Sequence, residues 1–386
     1  MTTASYTGKE AAYIKNELLR AYLEPLLMIS GQREPRINYI DCFSGPWQKG
    51  KQDAEDTSVA VSLGIMEKCH NDLSEKFRKN IHFRALFIES DKESFGRLES
   101  FLKSESWGGV DAFCLKGDFY DLRKEILSWC GNRDLSIFFI DSTELMHMAI
   151  PTLQPLLGRP SSEFLISSSF DSILRGNAQA SFEEQMKSIF GEAPDTSHIV
   201  PEEKERFLLD LYCRELRVCA STVDGKTPRC AHMRLLNPKK DRTAHDLVYL
   251  SWDALGIVTF MEASEQLEVE QRKERALASQ SKKIKRSRQL EIFSADKLVG
   301  DDPGADPGKV KEYWLTRLSN TPERFGVAEL ADMMEETGWF MNDFQRGFLE
   351  LEREGKVKNL ASTGMRTENP VHYWANGNRG ELLVKV

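Results

Sequence analysis

Four acidic residues stand where apolar runs end: Asp41 after "INYI", Glu89 after "LFI", Asp118 after "FCLKG" and Asp141 after "IFFI". A carboxylate at such a place can accept hydrogen bonds, meet an amine or take up a proton. One acid there is an ordinary helix cap. Four in succession, gathered on one sheet edge, would repel one another unless a ligand used them, and they point to a site. The first acid opens the loop "DCFSGPW", Asp41 to Trp47, which holds one glycine, Gly45, before Pro46 and Trp47. A pyrophosphate cradle uses several glycines ahead of a helix N-terminus, so this loop suits a ligand without phosphate.

The residue types around the acids describe that ligand. An acid beside the loop can meet an amino group. Glu89 can accept from ribose hydroxyls, and Asp118 with Phe119 offers an acceptor and an apolar wall to adenine. S-adenosylmethionine carries all of these groups together with a sulfonium. Phe43, Ser44, Gly45 and Trp47 complete the cofactor-binding candidates, Trp47 either closing over the sulfonium by cation–π contact or plugging the space under the next helix. Asp141 is the catalytic candidate: it orients a methyl acceptor, or it only caps a helix. Arg175 in "SILRG" can meet a substrate anion or sit in a surface ion pair.

The elements that must position these groups alternate. Lys9 to Ile29 has apolar residues at helical spacing, with Tyr13, Leu18, Tyr22 and Leu26 on one face. "INYIDCF" is a strand, and Thr57 or Ser58 caps a helix running to about Cys69. Strands follow at His82–Ser90, Asp111–Asp118, Leu135–Ser142 and Glu163–Phe170, with helices at Asp91–Lys103 and Tyr120–Trp129 between them. Apolar strands separated by helices predict a parallel sheet covered on both faces. Helices at Ala178–Phe190 and Pro201–Arg217 come next, then "AHMRLLN" and "DLVYLSW", close enough for a late antiparallel hairpin. A long helix starts near Asp253 and loses its apolar face in "EQLEVEQRKERALASQSKKIKRSRQ". "GDDPGADPG" breaks regular structure. Beyond it, helices at Val310–Leu318, Val327–Glu336 and Asn342–Arg353 and a hairpin over Lys356–Trp374 give a winged-helix-like pattern, a nucleic-acid or protein docking module. The expected organisation is a Rossmann-like α/β domain over 1–264, a charged helix and linker over 265–307, and a winged-helix-like domain over 308–386.

Composition narrows the function classes. The chain has 386 residues, 40% of them hydrophobic, and a formal net charge of −8, which fits a folded protein rather than a nucleic-acid coat. The basic run Lys282, Lys283, Lys285, Arg286 and Arg288 is either a solvated helix face or a phosphate contact. Seven scattered cysteines without a CxxC pair oppose a disulfide framework or a zinc site. Cys42 is read as a buried thiol rather than a nucleophile. The histidines show no HExxH or close pair, and His147 can act as a base only if its helix turns inward. No run reaches membrane-span length, and a reducing cytoplasm is the expected compartment.

"YIDCFSGPW" resembles the first motif of class I methyltransferases. More narrowly, "KNELLRAYLEPLL", "YIDCFSGPW", "DTS", "FIES", "GDF", "FFID", "SSSFDSILR", "DLVYLSWDALGIVTFMEA" and "KKIKRSRQLEIF" together resemble the three-Cys-motif partner (TcmP) family over about Lys9 to Phe293. The resemblance implies an S-adenosylmethionine-dependent methyltransferase on a Rossmann-like sheet. It also implies a separate iron–sulfur, radical-SAM-like partner protein. Where the family continues "FIDP", this chain has Asp141, Ser142, Thr143 and Glu144. Two other readings remain open: a magnesium-dependent phosphoryl-transfer enzyme using Asp41, Glu89, Asp91 and Asp141, and a non-catalytic adaptor.

Overall fold

A computed structural model of the protein describes residues 16–45, 57–142, 145–168, 179–220, 222, 225–236, 243–287 and 304–386. Trp47, Arg175 and Arg288 lie outside them, as do the side chains of Lys282, Lys283, Lys285 and Arg286. The chain divides into two compact units, one spanning Met1–Leu235 and Thr243–Trp252, the other Leu236–Arg242 and Asp253–Val386.

The first unit is built on the seven-stranded sheet foreseen from the apolar runs. Its strands are β1 (Arg36–Asp41), β2 (His82–Glu89), β3 (Val110–Lys116), β4 (Leu135–Asp141), β5 (Ser162–Ser168), β6 (Arg229–Leu236) and β7 (Thr243–Ser251), in the order β3-β2-β1-β4-β5-β7-β6. The pairs β1–β2, β2–β3, β1–β4 and β4–β5 are parallel. β7 runs antiparallel to β5, with Ile166 opposite Val248. The unit is mixed α/β with a mostly parallel, Rossmann-like sheet. The central strands are apolar on both faces because helices cover both. Burying each Ile or Phe of these runs contributes about 1.5–3 kcal/mol.

The helices of this unit are α1 (Glu24–Ser30, entered through a π turn at Leu19–Leu23), α2 (Ser58–Phe77), α3 (Lys92–Ser104), α4 (Phe119–Cys130), α5 (Leu145–Met148), α6 (Ile150–Leu157), α7 (Gln179–Phe190) and α8 (Pro201–Cys219). Thr57 caps α2 by accepting from the Ala60 N–H at 3.2 Å. The helix then runs eight residues past the expected end at Cys69, to Phe77, because Leu73 continues its buried face. At the opposite edge of the sheet from the strand-end acids, buried Arg159 donates to the carbonyls of Gly131, Cys130, Asp134, Pro160 and Ser161, tying the loops there together.

The second unit holds α9 (Ala254–Ser287), α10 (Pro307–Arg317), β8 (Glu323–Phe325), α11 (Val327–Thr337), α12 (Met341–Arg353), β9 (Val357–Asn359) and β10 (Glu381–Lys385). Its small sheet is antiparallel in the order β8-β10-β9. Trp314 is its packing centre: the indole N–H donates to the Phe344 carbonyl at 2.9 Å, and its ring lies 5.5 Å from Phe325 and 5.3 Å from Phe348. The hairpin expected over Lys356–Trp374 does not form within those bounds. β9 does begin it, but its partner is β10, after Trp374. "VHYW" resembles a strand because Val371 and Tyr373 are buried, yet the Gln345 side-chain amide serves the backbone there. It donates to the Val371 carbonyl at 2.8 Å and accepts from the Val371 N–H at 3.0 Å.

Candidate functional site

In an open α/β sheet, ligands bind beyond the carboxyl ends of the strands where strand order reverses. Here order runs outward from β1 to β2 and β3 on one side and to β4 and β5 on the other, so the reversal lies between β1 and β4. Asp41 and Asp141 end the two strands that flank it.

The β1 loop is bound tightly to β2. Ser44 is the hub: its N–H donates to the Ile88 carbonyl at 2.9 Å, its Oγ accepts from the Ile88 N–H at 3.1 Å, and its hydroxyl donates to the Asp41 carbonyl at 3.2 Å. Asp41 Oδ1 accepts from the Phe43 N–H at 3.0 Å, a short side-chain turn that fixes the loop. Asp41 is 0% exposed. The carboxylate expected to face a ligand amine is therefore an internal support of the loop. Its charge is felt by buried Tyr39, whose hydroxyl pKa is raised well above the ordinary phenol by burial first, then by Asp41, with Asp141 contributing less.

Glu89 lies at the centre of the site. It is 7% exposed. Its Oε1 accepts from the Asp91 N–H at 2.8 Å, and its carbonyl accepts from the Gly117 N–H at 3.1 Å. A side-chain carbon at Gly45 would collide with the Glu89 carboxylate. The loop after β1 thus reaches Glu89 only because residue 45 is glycine. The ends of β1, β2 and β3 meet around this one acid.

Asp118 caps α4 through Oδ1, which accepts from the Tyr120 N–H at 2.8 Å. The bland reading of this acid as a helix cap is realised, yet its side chain stays 44% exposed. Phe119 is buried beside it, its ring 5.4 Å from Phe43. The carboxyl end of β4 brings Asp141, half-buried, and Ser142. Ser142 Oγ lies 2.8 Å from His147 Nδ1, and His147 Nε2 lies 3.5 Å from Asp118 Oδ2. The His147 ring is 4.7 Å from Phe43 and 6.3 Å, edge-on, from Phe119.

The structure thus brings Phe43, Ser44, Gly45, Glu89, Asp118 and Phe119 together at three adjoining strand ends, with Asp141 on the fourth. His147 joins them because α5 turns inward. Ser44's role as hub and Asp91's as the cap of α3, accepting from the Ser94 N–H at 2.8 Å, have no signature in the sequence beyond their types. Among the described residues no group of three or more His, Cys, Asp or Glu is arranged to hold a metal ion. All seven cysteines are free thiols, Cys42 among the buried ones, and burial pushes the Cys69 thiol up to about 12. No described helix is long and apolar enough to cross a membrane.

No family model matches the chain, and no curated protein matches it. Some solved structures do. A DUF574 family protein from Streptomyces avermitilis is 9% identical over 62% of this chain and 82% of its own, with a TM-score of 0.32. The O-methyltransferase TomG from Streptomyces achromogenes, in complex with SAM, is 12% identical over 63% of this chain and 89% of its own, at 0.31. Loganic acid methyltransferase with SAH is 10% identical over 100% of this chain and 97% of its own, at 0.26. Likenesses this slight carry no argument about what the chain does, so its function rests on its own geometry.

Proposed function

We propose that the first unit is an S-adenosylmethionine-dependent methyltransferase, of the class I type that the strand-end motifs resemble and akin to the three-Cys-motif partner family. The observation that supports it most is the seating of Glu89 between the Gly45 and Gly117 loops, beside Asp118 and Phe119. A buried acid at the end of the second strand, approached closely by a glycine backbone, fits a ribose-binding place. An exposed acceptor beside buried aromatic rings fits adenine. A Rossmann-like sheet ending in a late antiparallel strand fits the same class.

When bound, S-adenosylmethionine supplies a methyl group on a sulfonium that a nucleophile displaces in line. The chain's part is positional. Glu89 accepts from the ribose hydroxyls, and Asp118 accepts from the adenine amine. Phe43 and Phe119 form the apolar wall, and Asp41 holds the loop through the Phe43 N–H. Asp141, at the end of β4 next to the reversal of strand order, orients the acceptor and receives its proton. The acceptor is a nucleic acid or a partner protein, the latter including an iron–sulfur protein of the kind the family resemblance implies, in a reducing cytoplasm. The second unit's order of helices and strands supports a winged-helix reading. Over residues 304–386 it carries thirteen acids against eleven bases, which suits protein docking better than a DNA-reading surface.

Isothermal titration with S-adenosylmethionine tests the reading. Saturable one-to-one binding is expected for the native chain, with at least tenfold weakening in Glu89→Ala and in Asp41→Ala. No heat from the native chain at millimolar ligand would end it. Magnesium-dependent cleavage of nucleic acid without added cofactor would favour the phosphoryl-transfer reading, which no described metal cluster supports.

A further inference from the structure

His147 contributes no obvious sequence motif, yet it sits at the junction of the proposed cofactor and acceptor halves of the site. It is 8% exposed. Its two nitrogens face different strand ends: Nδ1 lies 2.8 Å from Ser142 Oγ, just past β4, and Nε2 lies 3.5 Å from Asp118 Oδ2, just past β3. Its ring lies against Phe43 from the β1 loop and edge-on to Phe119. Three strand ends therefore share one imidazole.

The placement of the two nitrogens sets a direction. With the proton on Nε2, the ring accepts from the Ser142 hydroxyl through Nδ1 and turns its N–H toward Asp118 Oδ2, 3.5 Å away. Asp118 Oδ1 then accepts from the Tyr120 N–H, while Oδ2 faces the imidazole at 3.5 Å. A carboxylate bonded at one oxygen and flanked by an imidazole at the other has a set direction, and its side chain is still 44% exposed to meet a donor. On the other side, Ser142 occupies the place where the family the chain resembles carries a proline. A proline stiffens a turn through its ring. Here Ser142 is tied to His147 at 2.8 Å.

We infer that His147 is a positioning residue that aims Asp118 at the exocyclic amine of adenine while anchoring the Ser142 turn beside Asp141. The inference rests on the cofactor reading above and extends it: recognition of the adenine amine and order of the acceptor-side turn depend on the same imidazole.

The test uses the full chain, with S-adenosylhomocysteine and S-inosylhomocysteine as probes. The second carries a carbonyl where the first has the amine. Titration of the native chain should show the adenosyl compound binding at least tenfold more tightly than the inosyl one. His147→Ala should weaken the adenosyl compound about tenfold, as Asp118 loses the imidazole that flanks it. It should leave the inosyl compound within twofold. His147→Gln, which keeps a donor toward Asp118, should recover most of the loss, and in an Asp118→Asn background His147→Ala should cost less than twofold. Ser142→Ala should raise hydrogen exchange in the turn after β4 without abolishing adenosyl binding, and it serves if His147→Ala fails to fold. Equal penalties on both probes, additive losses with Asp118→Asn, or unchanged exchange in Ser142→Ala would overturn the inference. If the native chain binds neither probe, the cofactor reading itself has failed.

Discussion

Asp118 in the first unit and Glu381 in the second are both acids at the border of a sheet, and they are used in opposite ways. Glu381 is closed off. Its side chain is 5% exposed, and Arg366 Nη1 donates to both of its oxygens, at 2.9 and 2.8 Å. The Asn359 amide donates at 2.7 Å and the His372 N–H at 2.9 Å. Burial alone would raise its pKa. Arg366, the His372 N–H and Asn359 outweigh that and hold the carboxyl below its usual range. Asp118 has a helix N–H and a histidine, and it keeps a solvent-facing side. An acid whose hydrogen bonds are completed inside the protein is a fastening. One fixed in direction but left open is arranged to receive something.

Substitution at either acid, or at the loop between the strand ends, separates the two roles. The largest effect is expected at the loop. Gly45→Val would displace Glu89 from beneath it, and about hundredfold loss of S-adenosylhomocysteine affinity by titration should accompany a melting temperature close to the native one. Next comes Glu381→Gln, which removes the charge that Arg366 needs. It should cost about 2 kcal/mol of stability in urea unfolding and leave cofactor affinity unchanged. Asp118→Asn should do the reverse, losing about tenfold in affinity, roughly 1.4 kcal/mol, with little change in stability.

The smallest effect is a pH dependence, and its sign follows from linkage. Glu381 has its pKa lowered by folding, so its stabilisation is fully present above the ordinary carboxylate range, near 4.3. It is lost as pH falls through the lower folded-state value. The urea midpoints of native protein and Glu381→Gln should therefore converge below about pH 4 and separate at neutral pH. A constant gap across that range would show that Glu381 acts by shape rather than charge.

Much of the first unit was legible in the sequence because buried parallel strands must be apolar on both faces. "INYID" and "IFFID" could hardly be anything else, and the acids that ended them marked the carboxyl edge. What the sequence hid were the contacts made across long separations. Asp118 and His147 are 29 residues apart, and nothing local says that α5 turns inward to join them. Nor could the residue types say that Asp41 would hold its own loop through the Phe43 N–H. In the second unit, the second strand of the hairpin was misplaced because Gln345 imitates a strand partner for Val371. The strand Glu323–Phe325 was missed because three residues carry no periodicity.

The most direct test is a crystal structure of the chain soaked with S-adenosylmethionine. The ribose hydroxyls should lie within about 2.6–3.2 Å of the Glu89 carboxylate, the adenine amine at the same range from Asp118, and the sulfonium methyl should be turned toward Asp141. A ligand bound elsewhere, or density at the strand ends in which Glu89 touches no hydroxyl, would contradict it.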